Sequence, residues 1–472
     1  MAEKTAAEKL KEALLYQPKN GGATLSDDQL KAAFDFCEGY KAFMDRAKTE
    51  REAVEVLVRT LEGEGFSAYE PGRKYLPGDK LYYNNRGKAL IGVVMGKKGL
   101  EEGVRMVASH IDSPRLDLKP RPLYEEAQLA LFKTHYYGGI KKYQWTSIPL
   151  SLHGVIYKKD GSQVSVCVGE AEGDPVFCVT DLLPHLADAQ RKRTLEEGIK
   201  GEELNILVGS LPFRDDKESE LVKLNIMRLL HEKYGIVEAD FISAELEAVP
   251  AYKSRDIGFD RSMLGAYGHD DRVCAYTSLM AALCCNEPEY TTVTVFADKE
   301  ETGSNSNTGM DTAFLRYFIA DLAQPHGVEG RRVIARSKCL SADVNAGFDP
   351  TYPDVLEKNN AAYMGYGVAL AKYTGSGGKY GTSDATAEFV SEVTRLLDEK
   401  EVKWQIGELG KVDQGGGGTV AVFLAALDMD VLDVGVPVLS MHAPFEIVSK
   451  IDVYMAYKAF CAFYGERDGD AV

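Results

Sequence analysis

Five separated stretches of this chain place a histidine or a carboxylate at the end of a strand-like run or at the start of a helix-like one. That recurrence restricts the fold more than any other feature. The stretches read ASHIDSP, YGHDDRVCAYTSLMAALCC, TVTVFADKEETGS, LSADVN and LSMHAP. In the third, the β-branched and apolar run at 292–296 predicts a strand, and Gly303, Ser304 and Asn305 predict a turn soon after it. Glu300 and Glu301 therefore fall near a strand's carboxyl end, which is where open α/β sheets bind ligands. Two loop glutamates alone are ordinarily solvated surface, so the argument depends on their partners elsewhere.

Those partners are His110 with Asp112, Asp343, and His442, each at the end of another strand-like run. Asp270 and Asp271 precede an apolar helix, whose amino terminus favours a carboxylate electrostatically. Histidine nitrogen and carboxylate oxygen are the ligand set of catalytic zinc, and of manganese or cobalt in similar geometry. One ion needs three protein ligands, whereas two ions about 4 Å apart can share a carboxylate. Two His, two or three Asp and one Glu, with a second Glu left over, match two ions, a bridge and a general base.

At 472 residues the chain exceeds one ordinary core, which predicts two domains. Near the amino terminus Thr49 and Glu52 form a capping pattern ahead of Val54, Leu57, Val58 and Leu61 at helical spacing. ALIGVVMG and GVRMVASHID read as strands. From about Pro250 onward, TVTVFADKEE, SKCLSADVNAG and DVGVPVLSMHA alternate with amphipathic segments, and a last helix lies near IDVYMAYKAFCAFY. This alternation predicts an α/β core with a largely parallel sheet. Between the two parts, aromatic, β-branched and turn residues dominate. The expected architecture is an α/β domain at 1–112 and 251–472, with a β-rich domain inserted at 113–250.

A net charge of −17 excludes nucleic acid as a partner, since phosphate neutralisation needs clustered Lys and Arg. No apolar run approaches transmembrane length, and MAEKTAAEKLKEALLY lacks the apolar centre of a signal peptide, so a cytoplasmic location is expected. Eight cysteines without a C-x-x-C pair suit reduced, mostly buried thiols. The glycine-rich GSGGKYGT and VDQGGGGTVA do not fit a phosphate loop, and read instead as tight turns or close backbone approaches beside a substrate. No G-x-S-x-G or papain-like cysteine signature is present.

ASHIDSPRLDLKP, GHDDRVCAY, KEETGS, SADVN and MHAPFE, taken in order across nearly the full chain, resemble the aspartyl aminopeptidase family, peptidase family eighteen of the cocatalytic zinc metallo-aminopeptidases. The resemblance implies a phosphorylase/hydrolase-like zinc exopeptidase core with a central mixed, mostly parallel sheet, and a dimerisation role for the inserted domain. It implies two divalent ions, zinc first, with Asp270 bridging, His110 and Asp343 on one ion, and Glu301 and His442 on the other. Glu300 becomes the general base, Asp112 orients His110, and Asp271 shapes the turn without binding metal. Substrates would be peptides with a free N-terminus, shortened by one residue, and the chain would self-associate into dimers and from these into a dodecamer.

Two departures concern selectivity. Ala346 and Asp349 stand where eukaryotic members carry histidines, so a preference for acidic first residues would need positive partners elsewhere. Lys372, Lys379 with Tyr380, and His185 reaching a neighbouring subunit are the candidates. His269 stands where relatives carry an apolar residue, and is expected to be partly exposed. Rival readings are a carboxypeptidase or N-acyl amino acid deacylase on the same core, needing a fixed cation for a substrate carboxylate, and an inactive assembly or binding protein, needing a damaged ligand set.

Overall fold

The computed structural model describes residues 4–215 and 217–465. Its largest sheet has nine strands. Four at its centre, Thr292–Ala297, Arg105–His110, Lys338–Ser341 and Asp430–Gly435, lie side by side and parallel. Antiparallel pairings flank them: Ala89–Val94 on Thr292–Ala297, and Val368–Ala371 on Asp430–Gly435. The sheet is thus mixed, with a parallel centre. Because these four strands run the same way, their carboxyl ends meet along one edge, and three of them deliver His110, the Glu300–Glu301 pair and Asp343 there.

Both faces of this sheet are covered, which explains why Thr292–Ala297 is buried along its whole length. Alternate side chains serve opposite cores: Phe296, Val107, Leu340 and Leu432 pack under the helices Asp27–Met44, His269–Cys284 and Lys450–Tyr464. Val295, Met106, Cys339 and Val431 pack under Phe314–Ala323 and Gly330–Ala335. The helix after Thr49 runs Glu50–Gly63, and the Thr49 hydroxyl accepts from the Glu52 amide at 3.3 Å.

A second sheet of seven strands, all paired antiparallel, is built between Arg115 and Pro250 around its own core, which includes Trp145, Leu150, Phe241 and Val249. A third sheet of five short strands collects Arg255–Ile257, Met263–Ala266, Glu446–Ser449, Pro437–Leu439 and Asn345–Ala346. Here two runs that read as single strands divide. SKCLSADVNAG leaves the large sheet after Ser341 and re-enters the small one at Asn345, and DVGVPVLSMHA does the same at Val436. The physical reason is close packing at the crossing point: a Cβ on Gly435 would lie 1.6 Å from the Asp343 carbonyl oxygen. Between Pro437–Leu439 and Glu446–Ser449 the chain makes a hairpin loop, and that loop carries His442 over the edge of the large sheet.

Candidate metal centre

The seven residues picked out as site residues at the strand ends come together. His110 Nε2 lies 3.2 Å from Asp270 Oδ1 and 3.7 Å from Asp343 Oδ1. His442 Nε2 lies 3.2 Å from Asp270 Oδ2 and 3.3 Å from Glu301 Oε2. Two triplets result, His110–Asp270–Asp343 and Asp270–Glu301–His442, each with ligand atoms within 4.8 Å of one another. Asp270 belongs to both, offering one oxygen to each. Glu300 belongs to neither: its Oε2 stands 4.0 Å from His110 Nε2, and it is the more exposed of the two adjacent glutamates.

Both imidazoles are turned so that Nε2 faces the carboxylates. His110 Nδ1 sits 3.1 Å from the Asp112 carbonyl oxygen, and His442 Nδ1 sits 2.8 Å from that of Gly139. A carbonyl only accepts, so Nδ1 carries the proton in each ring and the Nε2 lone pair is left for a cation. Gly139 belongs to the loop following the strand Leu129–Tyr137 of the seven-stranded sheet. A Cβ there would lie 3.4 Å from His442 Nδ1, in ordinary contact with the ring.

Asp112 organises the far side. Its Oδ1 accepts from the Glu300 amide and its Oδ2 from the Glu301 amide, each at 3.2 Å, while the Tyr137 hydroxyl donates to Oδ2 at 2.7 Å. Its Oδ1 is also 3.3 Å from His110 Nδ1. Burial raises this carboxyl, but the hydrogen bonds of His110 and Tyr137 outweigh it and hold Asp112 below its ordinary range. Asp271 is fully buried and accepts from the His110 amide at 3.2 Å. It stands outside both triplets.

Sequence reasoning missed Glu446. Its two oxygens accept from the Asp270 amide at 3.1 Å and the His442 amide at 2.6 Å, so one buried carboxyl aligns the shared ligand and a histidine. The E of MHAPFE was the only signal available, and nothing in the spacing tied it to Asp270. Tyr137 and Gly139 were equally hidden, being far away in sequence.

The electrostatics fit a cation. His110 Nε2 and Glu301 Oε1 are buried without a hydrogen-bond partner. Burial and the charges of Asp343, Asp112 and Asp270 push Glu300 up to about 8, despite the pull of His110. Burial and Asp270 push Glu301 well above its ordinary range. Burial depresses His442, yet Asp270 and Glu301 overcome that and hold it up to about 10. Buried acids that raise one another, and that draw a proton onto the imidazoles when no cation is there, are what a site built for positive charge presents; a bound cation would take the place of that proton at Nε2.

A cavity of about 520 Å³ opens onto this centre. Its lining includes Asp270, Glu300, Glu301, Asp343 and His442 and, beside these acids and the histidine, Ala369, Ala371, Tyr373, Leu409, Val422 and Phe423. Lys372, Lys379 and Tyr380, expected as substrate contacts, are not among its lining residues, and Lys379 lines an adjoining cleft that shares Tyr373 and Leu409 with it. Both lysines are drawn to Asp384, at 3.0 and 2.9 Å, and Tyr380 is 78% exposed. His185 is exposed in a short turn, Pro184–Leu186, and does not line the cavity either. His269 is not exposed at all: Tyr40 Oη lies 2.6 Å from its Nδ1 and the Leu264 carbonyl 3.2 Å from its Nε2, and burial lowers it to about 3, a neutral core residue.

No described helix is long and apolar enough to cross a membrane. The family model of the aminopeptidase I zinc metalloproteases (M18) matches residues 43–464. An M18 family aminopeptidase 1 of Clostridium acetobutylicum is 51% identical over 458 residues, 95% of this chain and 98% of its own. The crystal structure of an M18 family aminopeptidase from Thermotoga maritima superposes with a TM-score of 0.91 at 44% identity, over 96% of this chain and 100% of that one. That of aminopeptidase I from Clostridium acetobutylicum gives 0.89 at 47%, over 95% and 99%. The chain therefore belongs to the M18 family of aminopeptidase I zinc metalloproteases, and is a metal-dependent aminopeptidase.

Proposed function

We propose that the centre holds two divalent cations, zinc first, with manganese or cobalt as substitutes, and that the protein releases single residues from peptides with a free N-terminus. The observation that carries this is Asp270, whose two oxygens each face a different histidine Nε2 at 3.2 Å. His110 and Asp343 would hold one ion, Glu301 and His442 the other, with Asp270 between them. When bound, such a pair supplies Lewis-acid polarisation of a carbonyl and lowers the pKa of water.

The chain's own groups then have separable tasks. Glu300 lines the cavity outside both triplets, so its carboxylate is free to take the proton of the attacking water and return it to the departing amine. Asp112 holds the backbone of both glutamates and the ring of His110, and the Gly139 carbonyl holds the ring of His442. The apolar side chains that line the cavity, Val422 and Phe423 among them, would shield the substrate's first side chain from water.

Two features disfavour the rivals. A carboxypeptidase or deacylase needs a cation for a substrate carboxylate, and among the described residues no Lys or Arg lines the cavity. An inactive binding protein would have lost ligands, whereas the full set is present. We also propose self-association through the part of the seven-stranded unit where Leu182, Leu183, Leu186 and Leu195 are exposed, with His185 among them.

The test is mass spectrometry of metal-loaded protein mixed with Xaa-Ala-Ala peptides, free and N-acetylated. Loss of one residue from the free set alone is expected. A Glu300→Gln variant should keep its metal and lose about 10²- to 10⁴-fold in kcat. Cleavage of acetylated peptides, or full activity in the variant, would overturn the reading.

A further inference from the structure

Beyond the proposed metal ligands and Glu300, one more acid lines the cavity, and nothing in the mechanism uses it. Asp433 is 5% exposed, on the strand Asp430–Gly435. Thr419, directly after four consecutive glycines, donates its hydroxyl to Asp433 Oδ1 at 2.7 Å. Oδ2 has no hydrogen-bond partner. The hydroxyls of Ser341 and Ser383 face the same carboxyl and hold it down against burial. With Thr419 its one close donor, the buried carboxylate keeps acceptor capacity for a donor that enters the cavity.

The position of the acid follows from register. Asp433 pairs with Ser341 on one neighbouring strand and with Ala371 on the other. Gly435, two residues on and therefore on the same strand face, abuts the backbone of the metal-centre residue Asp343. Asp433 accordingly lies about 7 Å back along the strand from the residue that abuts Asp343, at a rise of ~3.3 Å per residue. Ala371, beside Asp433 in register, lines the same cavity, as do Val422, Phe423 and the glycines at 416–418. An extended four-carbon stem starting at the scissile residue would cover that distance through apolar surroundings and end at the carboxyl.

We propose that Asp433 selects the first residue of the substrate, and that the cavity favours an apolar stem tipped with an N–H donor, lysine foremost, and rejects aspartate and glutamate. This rests on the aminopeptidase reading above and names the substrate class for it. An ammonium would satisfy Oδ2 and meet no competing cation among the lining residues. A substrate carboxylate would instead face a buried acid and a set of metal-ligand carboxylates. Burial pushes Asp433 up to about 7, so the comparison belongs at pH 8, where the ammonium competes less with a proton.

The experiment uses the metal-loaded wild-type protein, with Lys-, norleucine-, Leu- and Glu-Ala-Ala as substrates. Lysine and norleucine share the stem and differ in the ammonium. A kcat/KM at least tenfold higher for Lys than for norleucine, with Glu lowest, is expected. In Asp433→Asn, with metal content verified, the Lys-to-norleucine ratio should fall toward one, and Thr419→Val should lower it in the same direction. Equal or better turnover of norleucine by the wild type would overturn the proposal, whether or not the variant folds. A ratio unchanged in a folded Asp433→Asn would overturn it too. If no free peptide is cleaved by the wild type, the aminopeptidase reading itself fails, which is a different result from Leu being cleaved without a preference for Lys.

Discussion

Single residues divide sharply into those the sequence exposes and those it hides. A metal site would demand particular side chains at strand ends, helix starts and loops that converge, so His110, Asp270, Glu301, Asp343 and His442, the proposed ligands, are visible as types in places. Glu446 is not, because its contribution is to two backbone amides that lie 176 and 4 residues away. Removing it should leave the ligands present but misaligned. For Glu446→Gln we expect metal affinity to fall by about 10- to 100-fold, the usual effect of losing an outer contact, measured by competition with a chromogenic chelator. Unchanged affinity in a folded variant would mean that the hairpin loop holds His442 without help. The lysines near 372–380 were legible only as charges for a similar reason: their partner Asp384 lies close in sequence, but whether it would claim them depended on how the loop folded.

Elements are joined by a buried charge cluster that no motif announced. Glu52 looked like the second half of a helix cap. Its oxygens instead accept from the Lys48 amide at 3.1 Å and face His153 Nδ1 at 2.6 Å, tying the helix Glu50–Gly63 to the strand Leu150–Tyr157. On its other side His153 meets Ser151 at 2.9 Å and Glu170 at 3.3 Å, and Lys48 also reaches Glu170 at 2.6 Å. Burial lowers His153, but Cys167, Glu170 and Glu52 outweigh it and raise it from 6.5 to about 11. A histidine whose folded pKa is raised stabilises fully below its unfolded pKa, and that contribution is lost as pH rises through the folded value. The wild type should therefore exceed His153→Gln in Tm by most at or below pH 6.5, and the difference should shrink steadily toward pH 11. A difference independent of pH, in thermal melts across that window, would assign His153 a packing role only.

For the whole molecule, the centre gathers acids from the large and the five-stranded sheets, and their mutual repulsion is a cost borne by the fold. Binding cations should offset that cost, since a ligand that binds the folded state alone stabilises it by mass action. Dialysis against a chelator is expected to lower Tm by several degrees and abolish peptide cleavage, with zinc or manganese restoring both. In Asp270→Asn, which weakens both triplets, the Tm difference between loaded and chelated protein should nearly vanish. A chelator without effect on wild-type Tm would show that the acids are tolerated without cations.

At this scale the chain's own record and its folded form also part company. Strand-end histidines and carboxylates, the alternation of β-like and α-like runs, and the order of the motifs are local properties, set by residue type and spacing, and they were legible as an α/β metal enzyme. The division of 338–346 and 430–439 between two sheets was not, because it depends on a backbone contact between Gly435 and Asp343 that neither stretch encodes alone. Nor was the Gly139 carbonyl on His442, or the unpaired oxygen of Asp433 inside the cavity. Side-chain type and periodicity follow from neighbours in the chain, whereas register, the facing of an oxygen and the choice of an ion-pair partner follow from neighbours in space, which exist only after the three sheets have packed.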